Sequence, residues 1–226
     1  MPNVETLREI AGPAGPLETL LELPAGEPRA VAVFGHPHPL HGGTMHTKVV
    51  YQSTKALARI GVAVLRFNFR GVGRSAGTHD GGPGEMDDYR AGLDYMAGRF
   101  PGKPLWAAGF SFGSWIAWNV GLDDQRVEVL LGIGLPVDRF DFGPVRSSPK
   151  AKFVIHGERD ELISIRDIRK FYAELSEPKE LVVIEDANHL FDGKTSEVGD
   201  AVEDLLGGLA EASPQEGHEG YEGHEG

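Results

Sequence analysis

The chain contains no cysteine. That absence excludes disulfides, thiolate metal sites and a cysteine nucleophile. Basic clusters are missing as well: 22 Lys and Arg stand against 34 Asp and Glu, for a formal net charge of −12. A surface of that sign repels nucleic acid and anionic membranes, so neither is an expected partner. No apolar run approaches the roughly 18 residues of a membrane span. The opening Met1-Pro2-Asn3-Val4-Glu5-Thr6 has neither the basic nor the apolar region of a signal peptide, so the expected location is cytoplasmic.

What is present is an ordinary globular composition, 40% hydrophobic over 226 residues, which suits one domain with one substantial core. Short β-branched runs alternate with segments of helical spacing, the pattern of βαβ units. Strands are expected at residues 4–10, 17–23, 29–35, 62–68, 105–110, 127–135, 152–156 and 180–185. Helices are expected at 47–60, 85–100, 112–120, 163–175 and 197–210. The reading is an α/β fold with about eight strands, mostly parallel, and helices on both faces, spanning residues 1–210. Residues 211–226, rich in Gly, His and Glu, offer almost nothing to bury and are expected to be a disordered acidic tail.

Gly109-Phe110-Ser111-Phe112-Gly113 matches the Gly-x-Ser-x-Gly nucleophile elbow, with a strand before it and a helix after it. The turn must be tight, and glycines at both ends let strand and helix approach. It would expose the Ser111 hydroxyl at the positive end of a helix. A neutral serine is a weak nucleophile and needs a base oriented by an acid. In folds built on this elbow, acid and base follow the serine in that order. Two strand ends supply them. Asp160 follows the strand at 152–156, and His189 follows the strand at 180–185. The carboxyl ends of parallel strands are where such sites form. His189 is the expected base and Asp160 the expected acid, with Glu158 and Glu161 as rival acids. His156 precedes the acid and reads as a packed core histidine.

After the first buried strand comes Gly35-His36-Pro37-His38-Pro39-Leu40-His41-Gly42-Gly43-Thr44. This loop would supply one oxyanion donor, and the Phe112 N–H the other. Pro37 and Pro39 have no N–H, which leaves His38 favoured and Leu40 second. His36, His38, His41 and His46 also invite a metal reading, but the loop holds no carboxylate, and no metal or cofactor is assigned. Gly71-Val72-Gly73-Arg74-Ser75-Ala76 mimics a dinucleotide fingerprint, yet the following residues continue as loop where that motif needs a helix. It reads as a turn positioning Asn68, Arg70 and Ser75. The interval 136–149 is too short for a helical lid, so the site is expected to be open, with Leu40, Trp115 and Phe142 among its walls.

Together the Gly-His-Pro-His-Pro and His-Gly-Gly-Thr-Met stretches, residues 65–75 and residues 109–113 resemble the small, cap-less bacterial α/β-hydrolases related to dienelactone hydrolases and serine aminopeptidases. The resemblance covers roughly residues 17–210. It implies the α/β-hydrolase fold without a lid domain and carries over Ser111, Asp160 and His189 as a catalytic triad. Dienelactone hydrolases use cysteine where this chain has Ser111, so lactone specificity does not follow. The expected activity is hydrolysis of small, short-acyl carboxylic esters through an acyl-enzyme. Peptide or amide cleavage by the same residues and a catalytically silent binding module are the alternatives. The only expected partner is a small-molecule ester, and the oligomeric state is left open.

Overall fold

A computed structural model of the chain describes residues 3–5 and 9–212. The proposed tail at 213–226 lies outside the described residues. Among the described residues nine strands form one sheet: β1 (Asn3–Glu5), β2 (Glu9–Gly12), β3 (Gly15–Leu23), β4 (Ala30–Gly35), β5 (Val62–Phe67), β6 (Leu105–Phe110), β7 (Val127–Ile133), β8 (Ala151–Gly157) and β9 (Lys179–Ile184). Eight of them follow the order β1-β3-β5-β4-β6-β7-β8-β9, with β2 paired to β3. From β5 to β9 every pairing is parallel, while β3 runs antiparallel to β5, β1 and β2. The parallel strands β4, β5 and β6 are buried at every position, which explains why their apolar residues run on in place of alternation, broken only by Arg66 in β5.

Five helices among the described residues cover both faces: α1 (Lys48–Arg59), α2 (Pro83–Arg99), α3 (Phe112–Asp123), α4 (Ile165–Glu174) and α5 (Thr195–Ala212). Side chains of α1 and α5, including Val49, Leu57, Val198 and Leu206, pack on one face. Those of α2, α3 and α4, including Leu93, Trp118 and Phe171, pack on the other. Helix α2 opens two residues before the expected start. Pro83 occupies its first position, where a missing N–H costs nothing, and Glu85 accepts the Gly82 N–H at 2.8 Å as a cap. Strand β7 stops two residues short of the expected end, because Gly134 turns the chain with φ of 57°. Fully buried Tyr89 ties α2 to the sheet centre, donating to Val33 O at 2.6 Å and accepting the Ala108 N–H at 2.9 Å.

Candidate active site

Ser111 sits between β6 and α3 with φ of 54° and ψ of −122°. A non-glycine residue there is strained, and the surroundings hold it. Its N–H donates to Ile133 O at 2.8 Å, and its carbonyl accepts the Ser114 hydroxyl at 2.6 Å. The flanking glycines are demanded by contact. A Cβ at Gly109 would fall 2.6 Å from Ser114 N, and one at Gly113 would overlap the Gly35 carbonyl.

Asp160 lies between β8 and α4, and His189 between β9 and α5. The two loops interlock: Arg159 N–H donates to Ala187 O and Glu158 N–H to Ile184 O, both at 2.9 Å. Gly157 permits this closeness, since a Cβ there would come within 2.5 Å of Ala187 O. The result is a continuous line. Ser111 Oγ stands 3.0 Å from His189 Nε2, and His189 Nδ1 2.7 Å from Asp160 Oδ2. Asp160 Oδ1 accepts the Leu162 and Ile163 N–H groups at 2.8 and 2.9 Å. Burial pushes the Asp160 carboxyl up, but the hydrogen bond and charge of His189 and the Ile163 N–H outweigh it and hold it below its ordinary value.

The rival acids are engaged elsewhere. Glu158 accepts the Asp186 N–H at 3.2 Å, and Glu161 accepts the backbone N–H of His189, also at 3.2 Å. His156 is fully buried and donates from Nε2 to Ile163 O at 2.9 Å, as a packed core histidine does.

Hydrogen bonds hold the loop that follows β4. His36 accepts the Phe69 N–H at 3.0 Å and donates to Pro37 O at 2.7 Å. Burial pushes this imidazole down to about 4. Asn68 accepts the Met45 N–H at 2.9 Å, and Arg66 donates to Met45 O at 2.9 Å while paired with buried Glu22. Ser75 donates to Asn68 O at 2.6 Å, so the turn at 71–76 is a strut for this loop. The Phe112 and His38 N–H groups have no partner among the described residues, whereas the Leu40 N–H donates to the His38 ring at 3.2 Å. Among the described residues, no group of three or more His, Cys, Asp or Glu is arranged to hold a metal ion.

One expected wall residue is misplaced. Phe142 is 2% exposed and packs on Trp118 and Phe171 in the core beneath the sheet. Phe140, two residues earlier, stacks instead on Trp115 with centroids 4.2 Å apart. Trp115 Nε1 donates to Asp141 O at 3.1 Å, fastening the segment where a lid would be inserted, and its only helical piece is the 3₁₀ turn Gly143–Ser147. Leu40 is 73% exposed. Leu162 and Leu190, near Asp160 and His189 in the chain, are also exposed, and a lone loop leucine carries no signal in sequence.

Strand order, elbow and the absence of a lid define an α/β hydrolase. A family model described as serine aminopeptidase, S33 matches residues 27–133. The Rickettsia prowazekii (strain Madrid E) protein RP471 is 35% identical over 204 residues, covering 86% of each chain. An α/β serine hydrolase homologue from Coxiella burnetii is 37% identical, with TM-score 0.84 over 88% of this chain and 95% of that one. XC6422 from Xanthomonas campestris, described as an α/β serine hydrolase without lid, is 34% identical, with TM-score 0.85 over 94% of this chain and 97% of that one. The chain belongs to this family of α/β serine hydrolases that lack a lid.

Proposed function

We propose that the protein hydrolyses small carboxylic esters with short acyl groups. The supporting observation is the hydroxyl–imidazole–carboxylate line from Ser111 through His189 to Asp160, with separations of 3.0 and 2.7 Å. Ser111 Oγ adds to the ester carbonyl carbon as His189 Nε2 takes the hydroxyl proton. Asp160 accepts the Nδ1–H throughout, fixing the tautomer and stabilising the imidazolium. The Phe112 and His38 N–H groups receive the oxyanion, each worth ~10²–10³ in rate. His189 returns its proton to the departing alkoxide, leaving alcohol and acyl-Ser111. Water, deprotonated by His189, then releases the acid and restores the serine.

An open site between the Trp115–Phe140 stack and the exposed Leu40, Leu162 and Leu190 suits a small apolar ester. Among the described residues no helix is long and apolar enough to cross a membrane, which is compatible with the cytoplasmic location we assign. The test is turnover of 4-nitrophenyl acetate by wild type and Ser111→Ala, together with fluorophosphonate labelling. The expected loss is ~10⁴–10⁶ in kcat, since the triad acts as a unit, and equal rates refute the assignment. The matching family model favours a second reading, cleavage of aminoacyl amides by the same residues. Aminoacyl arylamides turned over faster than esters would select it.

A further inference from the structure

Two imidazoles outside the Ser111–His189–Asp160 line converge on the Phe112 ring. His38 lies 5.0 Å and His79 5.8 Å from it between centroids, and the two rings are 5.0 Å apart. They arrive on different loops, one after β4 and one before α2. Each is locked through Nδ1. His38 Nδ1 accepts the Leu40 N–H at 3.2 Å, which places the ring proton on Nε2. His79 Nδ1 donates at 2.7 Å to Glu85, whose side chain is fully buried. Neither Nε2 has a partner among the described residues. His38 therefore offers an N–H donor with no acceptor, and the His79 imidazolium, ion-paired through Nδ1 with Glu85, offers a second from its own Nε2.

The local charge matches. Residues 28–79 contain no Asp or Glu, although the chain has 34 of them, and this stretch carries His38, His41, His46, Lys48 and His79. His41 stacks on His38 with centroids 4.7 Å apart, and Lys48 opens α1 just beyond the loop. Asp80, beside His79, is turned onto the Gly84 N–H at 3.0 Å and lies 3.6 Å from Arg70.

The geometry of ester hydrolysis decides which half of a substrate meets this corner. The departing oxygen must reach His189 Nε2 to be protonated, so the alcohol lies toward Leu162 and Leu190. The oxyanion meets the Phe112 and His38 N–H groups, and the acid half, borne by the same carbon and turned from the leaving oxygen, is the half nearer the His38 loop. Resting on the ester-hydrolase reading, we propose that His38 and His79 form an anion subsite for the acid half of the substrate. The preferred substrates are then hemiesters of short dicarboxylic acids with an apolar alcohol. An imidazole N–H to a carboxylate is a charge-assisted bond and outweighs its neutral counterpart.

The test compares monobenzyl succinate with benzyl butyrate, which differ in a terminal carboxylate against a methyl. The wild type is expected to show the higher kcat/KM on monobenzyl succinate. His38→Phe and His79→Phe are each expected to cut that preference about tenfold, equal to ~1.4 kcal/mol, and His79→Lys to retain part of it. A wild type that prefers benzyl butyrate overturns the subsite without any variant. So does a ratio unchanged in folded Phe variants, as checked by thermal melting. Ser111→Ala separates the two levels. Loss of both activities with an unchanged ratio in the histidine variants removes only the subsite, whereas undiminished benzyl butyrate turnover removes the ester-hydrolase reading itself.

Discussion

Gly113 on α3 lies so close to Gly35 on β4 that a side chain on Gly113 would overlap the Gly35 carbonyl. Helix α3 is thereby seated against the sheet, and Ser111 is raised above it. Gly113→Ala is expected to cost about 2–4 kcal/mol by overpacking against backbone, which cannot move aside as a side chain can. Activity falls with it, because the elbow shifts. Gly98→Ala is the control: nothing lies within 4 Å of its added Cβ, and it sits within α2. It is expected to add about 0.5–1 kcal/mol. Urea unfolding of both variants measures the contrast.

Asp160 uses its two oxygens differently, one for the Leu162 and Ile163 N–H groups and one for His189. In Asp160→Asn the amide oxygen keeps the two backbone donors, so the NH₂ group faces His189 Nδ1. That ring must then carry its proton on Nε2, toward Ser111, where it cannot act as base. A drop of ~10⁴ in kcat with the fold retained is expected. Steady-state kinetics alongside circular dichroism checks it. Wild-type rates in the variant would contradict the assigned acid.

His36 makes folding sensitive to mild acid. Its ordinary value of 6.5 is pushed down to about 4 by burial, so between these values the unfolded chain binds a proton that the folded chain does not. Stability is therefore lost as pH falls from about 6.5 to about 4, by about 3 kcal/mol from this group. His36→Gln can keep an acceptor for the Phe69 N–H without titrating. Unfolding free energies at pH 7 and pH 4.5 are expected to differ by less in this variant than in wild type.

Asn68 connects the proposed oxyanion loop to β3, accepting from Met45 N and donating to Glu18 at 2.8 Å. Asn68→Ala leaves the buried Met45 N–H unpaired, at about 1–3 kcal/mol. The loop carrying the His38 N–H loosens with it. The expected kinetic signature is a roughly tenfold fall in kcat, with a smaller change in KM, because the oxyanion exists only in the transition state. Asn68→Asp keeps the acceptor but sets a carboxylate against Glu18, and is expected to be the less stable of the two. Paired kinetics and thermal melts distinguish these effects.

The sheet and the elbow were legible in the chain alone, which also named the candidate nucleophile, acid and base. Those features are written in short-range chemistry: apolar runs that suit buried parallel strands, glycines on either side of Ser111, and ionisable residues just past strand ends. Tertiary structure decided the rest. Phe140 and Phe142 are two residues apart and equally aromatic, and only the path of the segment beyond β7 sends one to the site and the other into the core. The partners of His36 and Asn68, Phe69 and Met45, appear only when the ends of β4 and β5 come together. Helix α2 begins at Pro83 because Glu85 folds back on Gly82, a bond that a run of Gly and Pro does not announce. Local preferences reach a few residues along the chain, whereas the bond between Ser111 and His189 spans 78 positions and exists only once the sheet has brought its loops to one edge.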